Sequence, residues 1–171
     1  MRSAMMILAI LLAAIELPMR ASAEDAKPAQ GVLTVREVSL SLARQIADAA
    51  LETCRSRGYK VGVAVVDRGG HVLIAMRDDG TAHHVVELAE RKAYTARIFR
   101  QTSRAFVERI INNPLSQGLK DTSGALASIG GVPIKVGGET IGGVGVSGAP
   151  GGPNDEACAA AGLDKVADQL K

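Results

Sequence analysis

The sequence has few aromatic residues and few of the residues that most often bind metals. Among 171 residues there are two tyrosines, two phenylalanines and no tryptophan, and the two cysteines and three histidines show no zinc-ligand spacing. The formal charge is only +2 and no basic stripe with interleaved aromatics occurs, so we expect no nucleic-acid partner. Alanine, valine and glycine are abundant instead, which predicts one closely packed core of small aliphatic side chains.

The first residues have the features of an export signal. Arg2 precedes an apolar run at residues 5–15, and the sequence Ala-Ser-Ala at residues 21–23 fits the rule for signal cleavage. The run is shorter than the roughly 20 residues that span a membrane. Glu16 and Arg20 interrupt its extension, although these two charges are also untypical of a signal and leave a retained membrane anchor as the alternative.

This start determines the expected organisation of the chain. We predict a signal peptide at residues 1–23, a disordered lead at residues 24–33 and a single domain at residues 34–171. The expected location is therefore periplasmic or secreted.

The two cysteines fall on the apolar stripes of the first and last predicted helices. A disulfide between Cys54 and Cys158 is chemically permitted outside the cytosol. Two buried thiols on helix faces are the simpler interpretation, because nothing in the sequence sets the distance between them.

Hydrophobic periodicity and turn residues predict an α+β domain with a mainly antiparallel sheet. A capping box at residues 34–37 predicts the start of the first helix, and Thr81 is the predicted cap of the second long helix. Hairpins predominate among the predicted strands, which argues against a doubly wound fold. The expected order is a helix to Gly58, strands near 61–66 and 71–77, helices near 82–99 and 104–111, strands at 125–129, 132–136 and 140–147, and a helix from Asn154.

Small residues mark the places where we expect close packing. The strand near residues 61–66 alternates valine with Gly62 and Ala64, so one of its faces is small and should be covered by another element. Glycines at 143, 145 and 148 match a dinucleotide-binding fingerprint by letters. They lie inside a predicted strand rather than before a helix, so we interpret them as packing glycines.

Several sequence blocks in a fixed order resemble the GlcG/HbpS heme-binding family, which includes the C-terminal domain of PduO-type corrinoid adenosyltransferases. The resemblance extends from about residue 34 to residue 170. The blocks that carry it are VAVVD at 63–67 with Gly70, RDDG at 77–80, KAYTA at 92–96, GGVPI at 130–134, IGGVGVSG at 141–148 and Asp155-Glu156.

The resemblance implies both a fold and a function. It implies a profilin-like fold with a five-stranded antiparallel sheet flanked by helices, and a homo-oligomer between a dimer and an octamer. It also implies that the ligand is heme b, and that exported members sense or handle heme for a two-component system. The GlcG branch of the family accompanies glycolate-type catabolism without an agreed reaction.

Three residues are candidates for the axial ligand of a heme iron. His83 and His84 are adjacent at a helix start and point about 100° apart, so at most one can serve a given slot. Exposed positions at the helix end are the alternative for both. The resemblance implies that Thr95 contacts the iron, whereas a hydrogen bond to the preceding helical turn is the alternative. Because His84 and Thr95 would lie about 16 Å apart on one helix, they could share an iron only across a subunit interface.

Three cations are candidates for the heme propionates, namely Arg77, Arg91 and Lys92. The alternative for Arg91 is a solvated pair with Glu87 on the helix face. The leading hypothesis is therefore an exported heme-binding or heme-sensing protein without turnover. The alternatives are an accessory protein or enzyme of small-acid catabolism, with Arg77 or Lys92 holding a carboxylate, and a purely structural assembly module.

Overall fold

The computed structural model describes residues 31–171. The predicted signal peptide and most of the predicted lead therefore lie outside the described residues. Within residues 31–171 no helix combines the length and apolar character needed to cross a membrane. The elements are α1 (Leu40–Ser56), β1 (Gly62–Val66), β2 (Val72–Arg77), α2 (His84–Phe99), α3 (Ser103–Asn112), β3 (Gly131–Val136), β4 (Glu139–Ser147) and α4 (Gly152–Asp164), with 3-10 helices at Pro114–Asp121 and Ala167–Gln169.

The strands form one antiparallel sheet in the order β2-β1-β4-β3, which confirms the α+β class. The sheet in the described part of the chain has four strands, so the prediction of five is wrong. Residues 125–129, the missing strand, follow an irregular path over α2. Their backbone bonds to α2 side chains rather than to a strand, because Arg91 Nη2 donates to Ala125 O at 2.9 Å and Leu126 N donates to Thr95 Oγ1 at 2.8 Å.

The two faces of the sheet are covered differently. Large side chains of β1 and β4, including Val63 and Val144, belong to a core cluster with α1 and α4. The opposite face is poor in side-chain bulk, as predicted for β1, and α2 packs directly on it. A Cβ atom placed on Gly145 would lie only 2.1 Å from the carbonyl oxygen of Ala89 on α2. Glycine is therefore required here by the close approach of a helix backbone, not by a nucleotide.

Both predicted helix caps are wrong. The first helix begins at Leu40 rather than near residue 34, with Ser39 Oγ accepting from Leu42 N at 3.1 Å. The acidic residue of the predicted capping box, Glu37, instead accepts from Arg68 N at 2.6 Å. Thr81 likewise does not cap α2, because its hydroxyl donates to Lys60 O at 3.1 Å.

Cys54 and Cys158 form a disulfide, so the interpretation as two buried thiols is wrong. Their Cα atoms lie 5.6 Å apart although 104 residues separate them in the sequence. Both residues are fully buried. The apolar stripes of α1 and α4 face each other in the core, which brings the two side chains together.

Candidate functional site

Five of the six predicted site residues lie on α2 or at its cap, and Arg77 lies at the end of β2 beside its first turn. Packing on glycines holds α2 against the sheet, so one of its faces is buried and the other remains accessible. The structure thus divides the candidates into an exposed group at the start of α2 and a buried group in its middle. His83 and His84, with Arg77 beside them, form the exposed group, and Lys92 and Thr95 form the buried group.

His83 forms a hydrogen bond with Arg77 at the start of α2. Arg77 Nη1 lies 2.6 Å from His83 Nδ1, and the same nitrogen lies 3.1 Å from Thr81 O. A guanidinium group only donates, so Nδ1 must accept and the imidazole proton of neutral His83 must be on Nε2. Neither ring nitrogen of His83 then offers a lone pair to iron.

His84 is the first residue of α2 and its side chain is exposed. An exposed neutral imidazole can present one nitrogen with a free lone pair, which is the donor that heme iron accepts. Of the two neighbouring histidines, His84 therefore fits the requirement for an axial ligand better than His83.

Thr95 is completely buried in the middle of α2. Its hydroxyl lies 2.8 Å from Arg91 O, the bond to the preceding turn that was the alternative to an iron contact. The same oxygen accepts from Leu126 N at 2.8 Å, so residues 125–129 cover it. Contact between this hydroxyl and an iron would require those residues to move away from α2.

Lys92 has three partners within the protein, so it would have to leave them to bind a propionate or a small carboxylate. Its ammonium group is buried and donates to Asp155 Oδ2 at 2.8 Å, Val146 O at 3.1 Å and Ser147 Oγ at 3.2 Å. An ammonium has three protons, so these three acceptors use all of them. Burial raises the pKa of Asp155, against the opposing hydrogen bond from Lys92.

Arg91 remains partly exposed and has a structural partner as well. Its Nη2 donates to Ala125 O at 2.9 Å, whereas its contact with Glu87 at 3.8 Å is a loose pair on the helix face. Arg91 thus holds residues 125–129, which cover Thr95, in place through a hydrogen bond. Its other nitrogens can still donate hydrogen bonds to an anion at the surface.

A shallow apolar pocket lies beside the accessible face of α2. Its volume is about 180 Å³, and it is lined by Val66, Gly70, Val72, Glu90, Arg91, Tyr94 and Gly124. Pockets that enclose small molecules have roughly 300–1,000 Å³. This pocket can therefore form one wall of a slot for a flat ligand, but it cannot enclose one by itself.

A second cavity has a different character and is not predicted by the sequence. Its volume is about 210 Å³, and its lining residues are Arg68, Arg97, Arg100, Lys135, Gly138, Glu139 and Thr140. The cations come from three separate elements, so their spacing in the sequence does not predict that they meet in one cavity. No group of three or more His, Cys, Asp and Glu side chains that could hold a metal ion occurs among residues 31–171.

Comparison with known proteins identifies the family. The sequence model of the family described as "Haem degrading protein HbpS-like" matches residues 38–164. Protein GlcG of Escherichia coli (strain K12) is 35% identical over 111 residues, which make up 64% of this chain and 81% of GlcG.

Solved structures agree with this result. A double mutant of HbpS from Streptomyces reticuli has a TM-score of 0.76 and 35% sequence identity, and the match covers 85% of this chain and 97% of that chain. The PduOC:heme complex has a TM-score of 0.68 with 24% identity over 75% of this chain and 94% of that chain, which supports the fold alone. The family resemblance seen in the sequence blocks is confirmed: this chain belongs to the HbpS-like family.

Proposed function

We propose that this protein is an exported, homo-oligomeric heme-binding or heme-sensing protein without turnover of its own. The observation that carries the heme-binding part of the proposal is membership of the family described as "Haem degrading protein HbpS-like". The absence of turnover departs from the degradation named in that description and is tested separately below. The same fold occurs in PduOC, which was solved as a heme complex. We take the bound form to be heme b, which needs no covalent attachment.

His84 is the proposed axial ligand. It is exposed at the start of α2, whereas the nitrogen of His83 is occupied by Arg77 and the hydroxyl of Thr95 is covered by Leu126. Arg77, which lies beside the same helix start, is the proposed partner of a propionate. Bound heme would supply an iron centre and a strong visible absorption.

A second copy of the chain is proposed to complete the slot. The apolar pocket beside α2 has a volume of only about 180 Å³, and Val72 at its rim is 46% exposed. An apolar wall of this kind binds a flat ligand well only when another surface covers the opposite side. Heme affinity should therefore increase with the degree of assembly.

Two observations support a location in the periplasm or outside the cell. The sequence starts with a signal-like segment. A disulfide joins Cys54 to Cys158, and such bonds persist mainly in oxidising compartments. A two-component sensor is the proposed signalling partner of the exported protein.

Hemin titration tests the proposed function. Purified heme-free protein is fractionated by size, and each fraction is titrated with hemin while the Soret band is followed. We expect a shifted band that saturates at a fixed ratio per subunit in the oligomer and weaker binding in the monomer. A linear response without saturation in every fraction would contradict heme binding.

The same complex tests the absence of turnover. Ascorbate and oxygen are added to the saturated hemin complex, with free hemin and hemin bound to serum albumin as references. A Soret band that decays no faster than in the references supports a binding role. Faster decay, with release of iron, would show that the protein degrades heme.

A further inference from the structure

The cavity at the C-terminal end of α2 concentrates positive charge at one place. Arg97 and Arg100 come from the end of α2 and the residue after it, Arg68 from the β1–β2 turn and Lys135 from β3. All four line one space of about 210 Å³. This site lies on different residues from the proposed heme ligands.

Among the residues that the structure describes, one carboxylate lines this cavity, and it is already paired. Glu139 lies 2.8 Å from Arg36 and also forms an ion pair with Arg68. These two hydrogen bonds, led by the one from Arg68, lower the pKa of Glu139, so its single negative charge is present at neutral pH. Within residues 31–171, Arg97, Arg100 and Lys135 have no ion-pair partner, so the cavity retains an excess of positive charge.

Arg97, one of the lining cations, has a buried nitrogen, Nε, without a hydrogen-bond partner among the described residues. Burial, followed by the charges of Arg68 and Arg100, lowers the pKa of Arg97 from its ordinary value, against the opposing charges of Glu37 and Asp67 nearby. A guanidinium nevertheless stays protonated, so the N–H is a buried donor without an acceptor.

The helix dipole explains only part of this arrangement. Cations near the C-terminus of α2 interact favourably with the helix dipole, which accounts for the presence of Arg97 and Arg100 at that end. The dipole does not supply an acceptor for Nε, and it does not require Arg68 and Lys135 to converge from other elements. An anion in the cavity would reduce the mutual repulsion of the four cations that line it.

We propose that this cavity binds a small oxyanion carrying two negative charges, either inorganic phosphate or a short dicarboxylate. Guanidinium groups present paired donors that match the oxygens of carboxylate and phosphate. The small volume excludes a large ligand, and the excess of cations favours a divalent anion over a monovalent one. This inference does not depend on heme binding.

Calorimetric titration of the heme-free protein tests the site. Phosphate, malonate and acetate are each titrated at constant ionic strength kept with chloride. We expect saturable binding of phosphate or malonate at one ion per subunit, at least tenfold tighter than that of acetate. Comparison of phosphate with malonate identifies the preferred oxyanion.

Variants show whether the named cavity is responsible. Arg97→Gln should weaken binding at least tenfold, and Arg100→Gln, at an exposed position where folding is not at risk, should weaken it severalfold. Arg44→Gln is the matched control, because it removes one exposed positive charge that pairs only with Asp48 at 3.6 Å. Absence of saturable binding, or an equal loss in the Arg44 variant, would overturn the proposal.

Hemin distinguishes this site from the proposed function. If Arg97→Gln weakens hemin binding while phosphate and malonate do not bind the heme-free protein, the cavity serves a propionate and the free-anion site is overturned. If either small anion binds and hemin does not, the heme proposal fails while the anion site stands. The two proposals can therefore fail separately.

Discussion

Lys92 on α2 and Asp155 on α4 form an ion pair that is almost fully enclosed by the protein. Nζ and Oδ2 lie 2.8 Å apart, and only 4% and 5% of the two side chains are exposed. The pair connects the helix that carries the candidate heme ligands to the last α-helix of the chain. The second oxygen of Asp155 accepts from Ala149 N at 2.9 Å, so the pair also holds the loop after β4.

Removing one member of this pair should destabilise the fold strongly. Lys92→Met leaves a buried carboxylate without its partner, which typically costs about 3–5 kcal/mol of unfolding free energy. Adding Asp155→Asn should recover part of the loss, because the amide oxygen can still accept from Ala149 N. Urea unfolding measures both effects. A loss below about 1 kcal/mol for Lys92→Met would contradict a buried pair of this importance.

The disulfide should be a major source of stability. It closes a loop of 104 residues, and a loop of about 100 residues corresponds to roughly 4–5 kcal/mol in the chain-entropy model. Dithiothreitol should therefore lower the melting temperature of the natural protein. It should have no effect on a Cys54→Ala, Cys158→Ala double variant, which melts lower from the start. Two reactive thiols in the denatured, unreduced protein would show that the bond does not form.

Because α2 packs closely on the sheet, alanine substitution should destabilise the protein at a glycine in the contact but not at an exposed glycine. Gly145→Ala would place a methyl group 2.1 Å from Ala89 O, so helix and sheet must separate. Overpacking of this kind costs about 1–3 kcal/mol or more. Gly118→Ala is the control, because no atom lies within 4 Å of the added carbon. Equal thermal stability of the two variants would contradict the packing.

Acid should weaken the link between α1 and the residue that follows β2. Arg55 donates to both oxygens of Asp78 at 3.1 and 3.0 Å, and these hydrogen bonds lower the pKa of Asp78 in the folded protein. The unfolded state then binds more protons, so this contribution is present above about pH 4 and is lost as the pH falls through the folded value. Asp78→Asn should flatten the decrease in unfolding free energy below pH 4. An exposed control, Asp48→Asn, should leave it unchanged.

Local patterns in the sequence predict the elements well where one physical effect dominates. Alternation in β1 and the glycines of β4 predict a sheet face that another element must cover, and α2 covers it. Helical periodicity also places Lys92 on the buried stripe with Ala89 and Ala96, three and four residues away. Helical periodicity therefore predicts that Lys92 is buried. It does not predict that Lys92 forms an ion pair inside the protein, because that depends on a partner on another helix.

Features that depend on distant partners could not be predicted from local patterns. The acid of the capping box at residues 34–37 bonds to Arg68, 31 residues from it, so the helix starts later at a competing cap. Residues 125–129 have strand-like composition, but side chains of α2 take up their hydrogen bonds. The partner of Lys92 lies 63 residues away, and the cation cavity assembles from three elements.

The axial ligand of the proposed heme site provides the most direct test of the account. The measurement is the absorption spectrum of the purified oligomer with one equivalent of hemin per subunit, for the natural protein and for His84→Ala and His83→Ala. We predict a shifted Soret band that His84→Ala abolishes or moves and that His83→Ala retains, because of these two neighbouring residues His83 is bonded to Arg77 whereas His84 is exposed. An unshifted band in the natural protein would contradict heme binding, and an unchanged band in His84→Ala would contradict His84 as the ligand.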